Sequence, residues 1–129
     1  MKLQEIFSCD FTLSENVYHG FIDLFGDKNS LHTDAGFAQS YGFKDKVMHG
    51  NILNGFLSYF IGEKLPMKNV MILSQEIQYT SPVYMYDQLK FIAEVSNISE
   101  AVNVVEFKFT FTNAELRKVA KGKISIKIL

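Results

Sequence analysis

An aspartate and a histidine five residues apart, Asp27 and His32, are the groups of this chain best spaced to share one proton. They fall in Phe25-Gly26-Asp27-Lys28-Asn29-Ser30-Leu31-His32, a turn led by a glycine, and His49-Gly50 follows seventeen residues after the histidine. A carboxylate and an imidazole set across one turn can hold a water molecule between them and take its proton. A glycine that opens an apolar helical segment, as Gly50 does, can offer its backbone N–H to a carbonyl oxygen at the positive end of the helix dipole. Those are the parts needed to add water to an activated double bond, or to remove it.

The elements that must position these residues can be read from hydrophobic period. Ser14 can cap a helix, with Glu15 in its first turn; Val17, Phe21, Leu24 and Phe25 then fall at helical spacing, and Gly26 supplies a left-handed stop. A second short helix is expected from about Asp34, with Phe37, Ala38 and Tyr41 inward and Gly42 ending it. From Gly50 to Gly62, Ile52, Leu53, Phe56, Leu57, Phe60 and Ile61 make a helix apolar around most of its circumference, which predicts burial on nearly all sides. After Pro66 the period becomes two. Leu89, Phe91, Ala93 and Val95 alternate with polar residues, as do Val102, Val105, Phe107, Phe109 and Phe111, and then Ile124, Ile126 and Ile128. Met71–Tyr79 is a less regular strand, Ile6–Phe11 a short first one, and Asn113-Ala114-Glu115 a turn between two of them. The pattern predicts an α+β fold, a single domain over residues 1–129 in which a curled antiparallel sheet wraps a central apolar helix.

Charge and composition narrow the function classes. Thirteen basic against fourteen acidic residues, with no basic run, argue against a nucleic-acid partner. A lone cysteine, Cys9, leaves no internal disulfide and fits a reducing compartment. Met1–Asp10 lacks the apolar core of a secretory leader, and the longest apolar stretch, Ile52–Ile61, is broken by Asn54, Gly55 and Ser58, so no membrane span is expected. The expected setting is cytoplasmic. His19 and His49 are read as structural, and without a His-x-x-x-His or Cys-x-x-Cys spacing no metal site is expected.

The Asp27–His32 stretch resembles the hydratase signature of the MaoC-like, (R)-specific enoyl-CoA hydratase family, which runs Gly-Asp-x-Asn-Pro-Leu-His-x-Asp and continues to a His-Gly before a central helix. The resemblance implies the hot-dog fold. It implies that Asp27 and His32 are catalytic and that the Gly50 amide faces the thioester oxygen. Asn29, Leu31 and Asp34 match neighbouring motif positions, so Asn29 becomes a candidate supporting or substrate-binding residue. Ser58 falls where the family usually carries a serine near the catalytic aspartate. Gln75-Glu76-Ile77-Gln78-Tyr79-Thr80-Ser81-Pro82-Val83 looks like the family's Gln-x-x-x-Phe-x-x-Pro-Val strand. Two positions depart from the pattern: Ser30 replaces a proline, and Tyr86 replaces the glycine of a Gly-Asp turn.

The activity implied is reversible hydration of trans-2-enoyl thioesters to (R)-3-hydroxyacyl thioesters. It needs no metal, nicotinamide or flavin, and CoA or acyl carrier protein enters only as part of the substrate. The family pairs two such domains into one continuous sheet, so a homodimer is expected; the Phe-rich strand from Val104 to Phe111 would be an aggregation hazard as an open edge. Two other readings stay open, a hot-dog thioesterase and a non-catalytic acyl-thioester-binding subunit.

Overall fold

Strict alternation over the second half of the chain builds most of the sheet. A computed structural model describes residues 1–129. Its strands are β1 (Ile6–Thr12), β2 (Val70–Tyr79), β3 (Gln88–Ser99), β4 (Val104–Thr112) and β5 (Lys118–Ile128), ordered β1-β3-β4-β5-β2 with every neighbouring pair antiparallel. Leu89, Phe91, Ala93 and Val95 of β3 point inward with Val105, Phe107, Phe109 and Phe111 of β4. Their polar neighbours face out, the arrangement that period two dictates for a half-buried sheet.

The inner face is filled by α4 (Asn51–Tyr59) and the π turn that continues it, Phe60–Lys64. Ile52, Leu53, Leu57, Phe60 and Ile61 are buried there, each contributing about 1.5–3 kcal/mol through removal from water. Phe60 meets Phe91 at 4.8 Å between ring centroids, and Phe56 stacks on Phe11 of β1 at 4.5 Å. A sheet wrapped around a central helix in this way is the hot-dog fold. The helical path ends at Leu65, whose extended backbone (ψ 152) is what the following Pro66 requires, and Gly62 does not end it. No helix is long and apolar enough to cross a membrane.

Three shorter helices precede α4: α1 (Glu15–Phe25), α2 (Ser30–Thr33) and α3 (Ala35–Ser40). The Ser14 hydroxyl oxygen accepts from the Val17 N–H, and Gly26 ends α1 at φ 71, both as the sequence predicts. Other details differ. In α1 the buried residue is Tyr18, while Leu24 and Phe25 are exposed. In α3 only Ala38 is buried; Phe37 and Tyr41 are exposed and pack on each other at 5.0 Å. Six residues are too short a helix to bury three large side chains against a core it meets at one point. Val102 lies in an exposed 3₁₀ turn, Glu100–Val102, ahead of β4.

Central helix α4 is not buried on all sides. Its apolar positions form one broad stripe, and Asn51, Gly55, Ser58 and Tyr59 are exposed on the other. Nor is β4 an edge, because β3 and β5 flank it. The open edges are β1 and β2. Along β2 the successive residues Met71, Ile72 and Leu73 are 47%, 38% and 47% exposed, so the unpaired apolar edge belongs to that strand.

The β4–β5 hairpin has a three-residue loop held by Asn113, whose side chain accepts from the N–H groups of Glu115 and Arg117. Its last loop residue, Leu116, is left-handed at φ 63 and 87% exposed, in the position where such loops take glycine. Leu116→Gly should therefore stabilise the protein by about 1 kcal/mol, the low end of the cost of left-handed backbone for a residue with a Cβ. Urea unfolding checks this; a lower midpoint would show that the turn is not held in this conformation.

Candidate active site

Asp27 and His32 are brought together by a cascade of local caps. Gly26 turns the chain out of α1, its N–H donating to the Ile22 carbonyl at 2.7 Å. Asp27 Oδ1 then accepts from the Asn29 N–H at 3.2 Å, and Asn29 Oδ1 accepts from the Leu31 N–H at 2.9 Å. These two side-chain turns cap α2 and place His32 on it. Asn29 thus acts through the backbone, as the N-cap of the helix that carries the histidine. Ser30 is the first residue of α2, after an extended Asn29 (φ -52, ψ 137), the position that a proline fits.

Further bonds fix the imidazole. The Tyr18 hydroxyl donates to the His32 carbonyl at 2.6 Å, which ties α2 to the buried side of α1. His32 Nδ1 lies 2.7 Å from the Val47 carbonyl. A carbonyl only accepts, so Nδ1 carries a proton, and in the neutral ring the lone pair is on Nε2.

His49 completes the cluster. Ligand-type atoms of Asp27, His32 and His49 all lie within 4.8 Å of one another. The His49 ring stacks on His32 at 4.0 Å and on Phe21 at 4.6 Å, and the residue is 3% exposed. Its Nε2 donates to the Asp27 carbonyl at 2.8 Å and stands 4.0 Å from Oδ2 of the same residue. Burial pushes the His49 pKa below its ordinary 6.5, and the neighbouring His32 acts in the same direction against the pull of the Asp27 carbonyl and carboxylate. The ring is therefore neutral. With Nε2 committed as a donor to the Asp27 carbonyl, the lone pair of the neutral His49 ring is on Nδ1.

Gly50 sits at the N-terminus of α4, and its N–H has no backbone acceptor. A Cβ there would come within 2.8 Å of the Tyr79 ring, so a glycine is also what lets β2 approach the helix start. His32, Gly50, Tyr79 and Val83 line a cleft of about 280 Å³. Asp27 lines a second, more apolar groove of about 750 Å³ between α1 and α4, with Val17, Phe21, Leu24 and Phe56. Asn51 borders both. Asp27 and His32 thus line different clefts that have Asn51 in common. Ser58 is not brought to them: the side chain is exposed on the outer stripe of α4 and lines neither cleft. The sequence reading also missed two contributors. Tyr18 is outside the Val17, Phe21, Leu24 and Phe25 pattern, and the partner of His49, read as structural, shows only once α4 is docked against α1.

Residues 5–115 match the family model for the MaoC-like domain. The chain belongs to the MaoC-like family. Among its relatives, the (R)-specific enoyl-CoA hydratase of Rhodospirillum rubrum is 27% identical over 117 residues, spanning 91% of this chain and 81% of that one. The (R)-specific enoyl-CoA hydratase of Aeromonas caviae is 32% identical over 80 residues, 62% of this chain and 60% of the relative. In structure, the A. caviae (R)-hydratase involved in PHA biosynthesis superposes with a TM-score of 0.91 over 100% of this chain and 98% of its own, at 22% identity. The MaoC-like fold of this chain is thereby shared end to end with a solved protein.

A neutral buried His49 makes stability depend on pH in a stated direction. Its folded pKa lies below the unfolded 6.5, so between those values the unfolded chain binds the proton and the folded one does not. This contribution is whole above about pH 6.5 and is lost as pH falls through the folded value. The urea midpoint should drop from about pH 7.5 to about pH 5.5, and His49→Gln, which keeps a donor for the Asp27 carbonyl, should flatten that slope. Equal slopes in the two proteins would mean that His49 is protonated in the fold.

Proposed function

We propose that this protein reversibly hydrates trans-2-enoyl thioesters to (R)-3-hydroxyacyl thioesters, with Asp27 and His32 as the acid–base pair and the Gly50 amide as donor to the thioester oxygen. The observation that carries the assignment is the cluster itself. A carboxylate and an imidazole with a free Nε2 lie within 4.8 Å, beside an N–H without a backbone acceptor at a helix N-terminus. The names of the R. rubrum and A. caviae relatives support the same reaction and the (R) product.

Conjugation with the thioester makes the β-carbon electrophilic. One water, held between Asp27 and His32, loses a proton to the pair as its oxygen bonds to that carbon. The π electrons move toward the thioester oxygen, where the Gly50 N–H and the positive end of α4 stabilise the developing enolate. The proton then returns to the α-carbon. Both transfers come from one face, so addition is syn. No electrons are gained or lost overall, so the chemistry calls for no redox cofactor, and CoA or acyl carrier protein enters as the carrier of the acyl group. A thioesterase would direct its water at the carbonyl carbon; two proton acceptors set around a single water favour addition to the alkene.

Asp27→Asn keeps the bond from the Asn29 N–H and removes the charge; His32→Ala removes the second acceptor. Each should cost roughly 10²–10⁴ in turnover of an enoyl thioester, followed by loss of its absorbance band. The double variant should be little worse than the poorer single one, because groups acting on one water are not additive. Melting temperature should barely move in Asp27→Asn. Release of free thiol would point to a thioesterase, and full activity in Asp27→Asn would remove the assignment.

The same reading includes a homodimer formed through β2, whose exposed apolar edge is supported as an interface by Met71, Ile72 and Leu73 in succession. Sedimentation at micromolar protein should show a dimer, and Met71→Lys combined with Leu73→Lys should shift it to monomer. A wild-type monomer at every concentration would overturn this.

A further inference from the structure

Tyr79 lines the smaller cleft, and the mechanism above does not use its hydroxyl. That hydroxyl is held in a directed chain of hydrogen bonds. Gln75 Nε2 donates to Asn54 Oδ1, and Asn54 Nδ2 donates to Asn51 Oδ1 at 2.8 Å and to the Tyr79 hydroxyl oxygen at 3.3 Å. Because that oxygen is already an acceptor, its own proton is left to donate elsewhere.

The ring places that proton at the start of α4. A Cβ built on Gly50 would lie 2.8 Å from both Cε1 and Cζ of Tyr79, so the carbon bearing the hydroxyl stands over Gly50. Gly50, whose N–H has no backbone acceptor, and Tyr79 therefore line one small cleft with His32. We propose that the Tyr79 hydroxyl is a second hydrogen-bond donor to the thioester oxygen, acting beside the Gly50 amide; this rests on the hydratase reading above.

In the step concerned, the water oxygen bonds to the β-carbon, the π pair passes to the thioester oxygen, and the water proton goes to the Asp27–His32 pair before it returns to the α-carbon. Tyr79 gives up no proton; it hydrogen-bonds the oxygen as charge accumulates there. Burial raises its pKa above the ordinary 10.0, which keeps the phenol protonated at neutral pH. Asn54 and Asn51 are positioning residues, since they act only by fixing the direction of the phenol.

Tyr79→Phe removes the hydroxyl and keeps the ring against Gly50. With crotonyl-CoA as probe, kcat should fall about 10²-fold, the effect of removing one oxyanion donor, with KM changed far less. The thermal midpoint should stay within error. A structural role would move neither kcat nor the bound carbonyl, so the second readout is infrared. In an Asp27→Asn background, which turns the probe over roughly 10²–10⁴-fold more slowly, the thioester carbonyl stretch should lie below its solution value and rise toward it when Tyr79→Phe is added. An active unmodified protein with full kcat and an unshifted carbonyl in Tyr79→Phe would overturn this inference alone. An unmodified protein that never hydrates the probe would overturn the hydratase reading, and this inference with it.

Discussion

One hydrogen bond inside the protein, from His49 Nε2 to the Asp27 carbonyl, joins the two parts of the chain that make the site. Asp27 leaves the end of α1, whereas His49 directly precedes the Gly50 that starts α4. Without this bond, the carboxylate and the free N–H of Gly50 would be positioned by separate elements. The bond has a cost. Burying an imidazole loses hydration, and His49 Nδ1 is left without any partner, a penalty of about 1–3 kcal/mol for a buried polar atom. Such a loss is tolerated where it fixes geometry that apolar packing alone would leave loose.

The stack of His49 on His32 follows from the same placement. A neutral ring at van der Waals distance shields one face of His32 from water and leaves its Nε2 as the open position. Tautomer and exposure are thus set by different neighbours: Val47 fixes which nitrogen holds the proton, and His49 fixes which side of the ring is reachable.

The sheet and the cap-driven helix ends were legible because each depends on short-range pattern. Period two from Leu89 onward, Ser14 as a cap and Gly26 as a left-handed stop all act within a few residues. What could not be read depends on tertiary placement. The apolar residues of α4 suggested burial all round, yet Asn51, Gly55 and Ser58 mark a free stripe that shows only when the helix is docked. Whether the Phe-rich strand is an open edge depends on strand order, which alternation does not encode, and the order places β4 inside the sheet. Asp27, His32 and Gly50 were legible as a motif. The part of His49 was not, because its partner lies twenty-two residues away across a helix-to-helix contact. Tyr86, flagged as a departure from a family glycine, sits at φ 70, so the backbone still takes the conformation that glycine would favour.

The apolar run on β2 bears on how a second copy could align with it. Alternating strands choose their register because a one-residue slip turns the greasy face outward. Val70, Met71, Ile72 and Leu73 offer no such discrimination, since both faces of the strand are apolar there. The bulge between Ile72 and Ser74 breaks the repeat, and beyond it the strand turns polar through Gln75, Glu76 and Gln78. In a dimer paired through β2, alignment would be decided in the polar halves, where like charges at Glu76 and unmatched amides would disfavour some offsets.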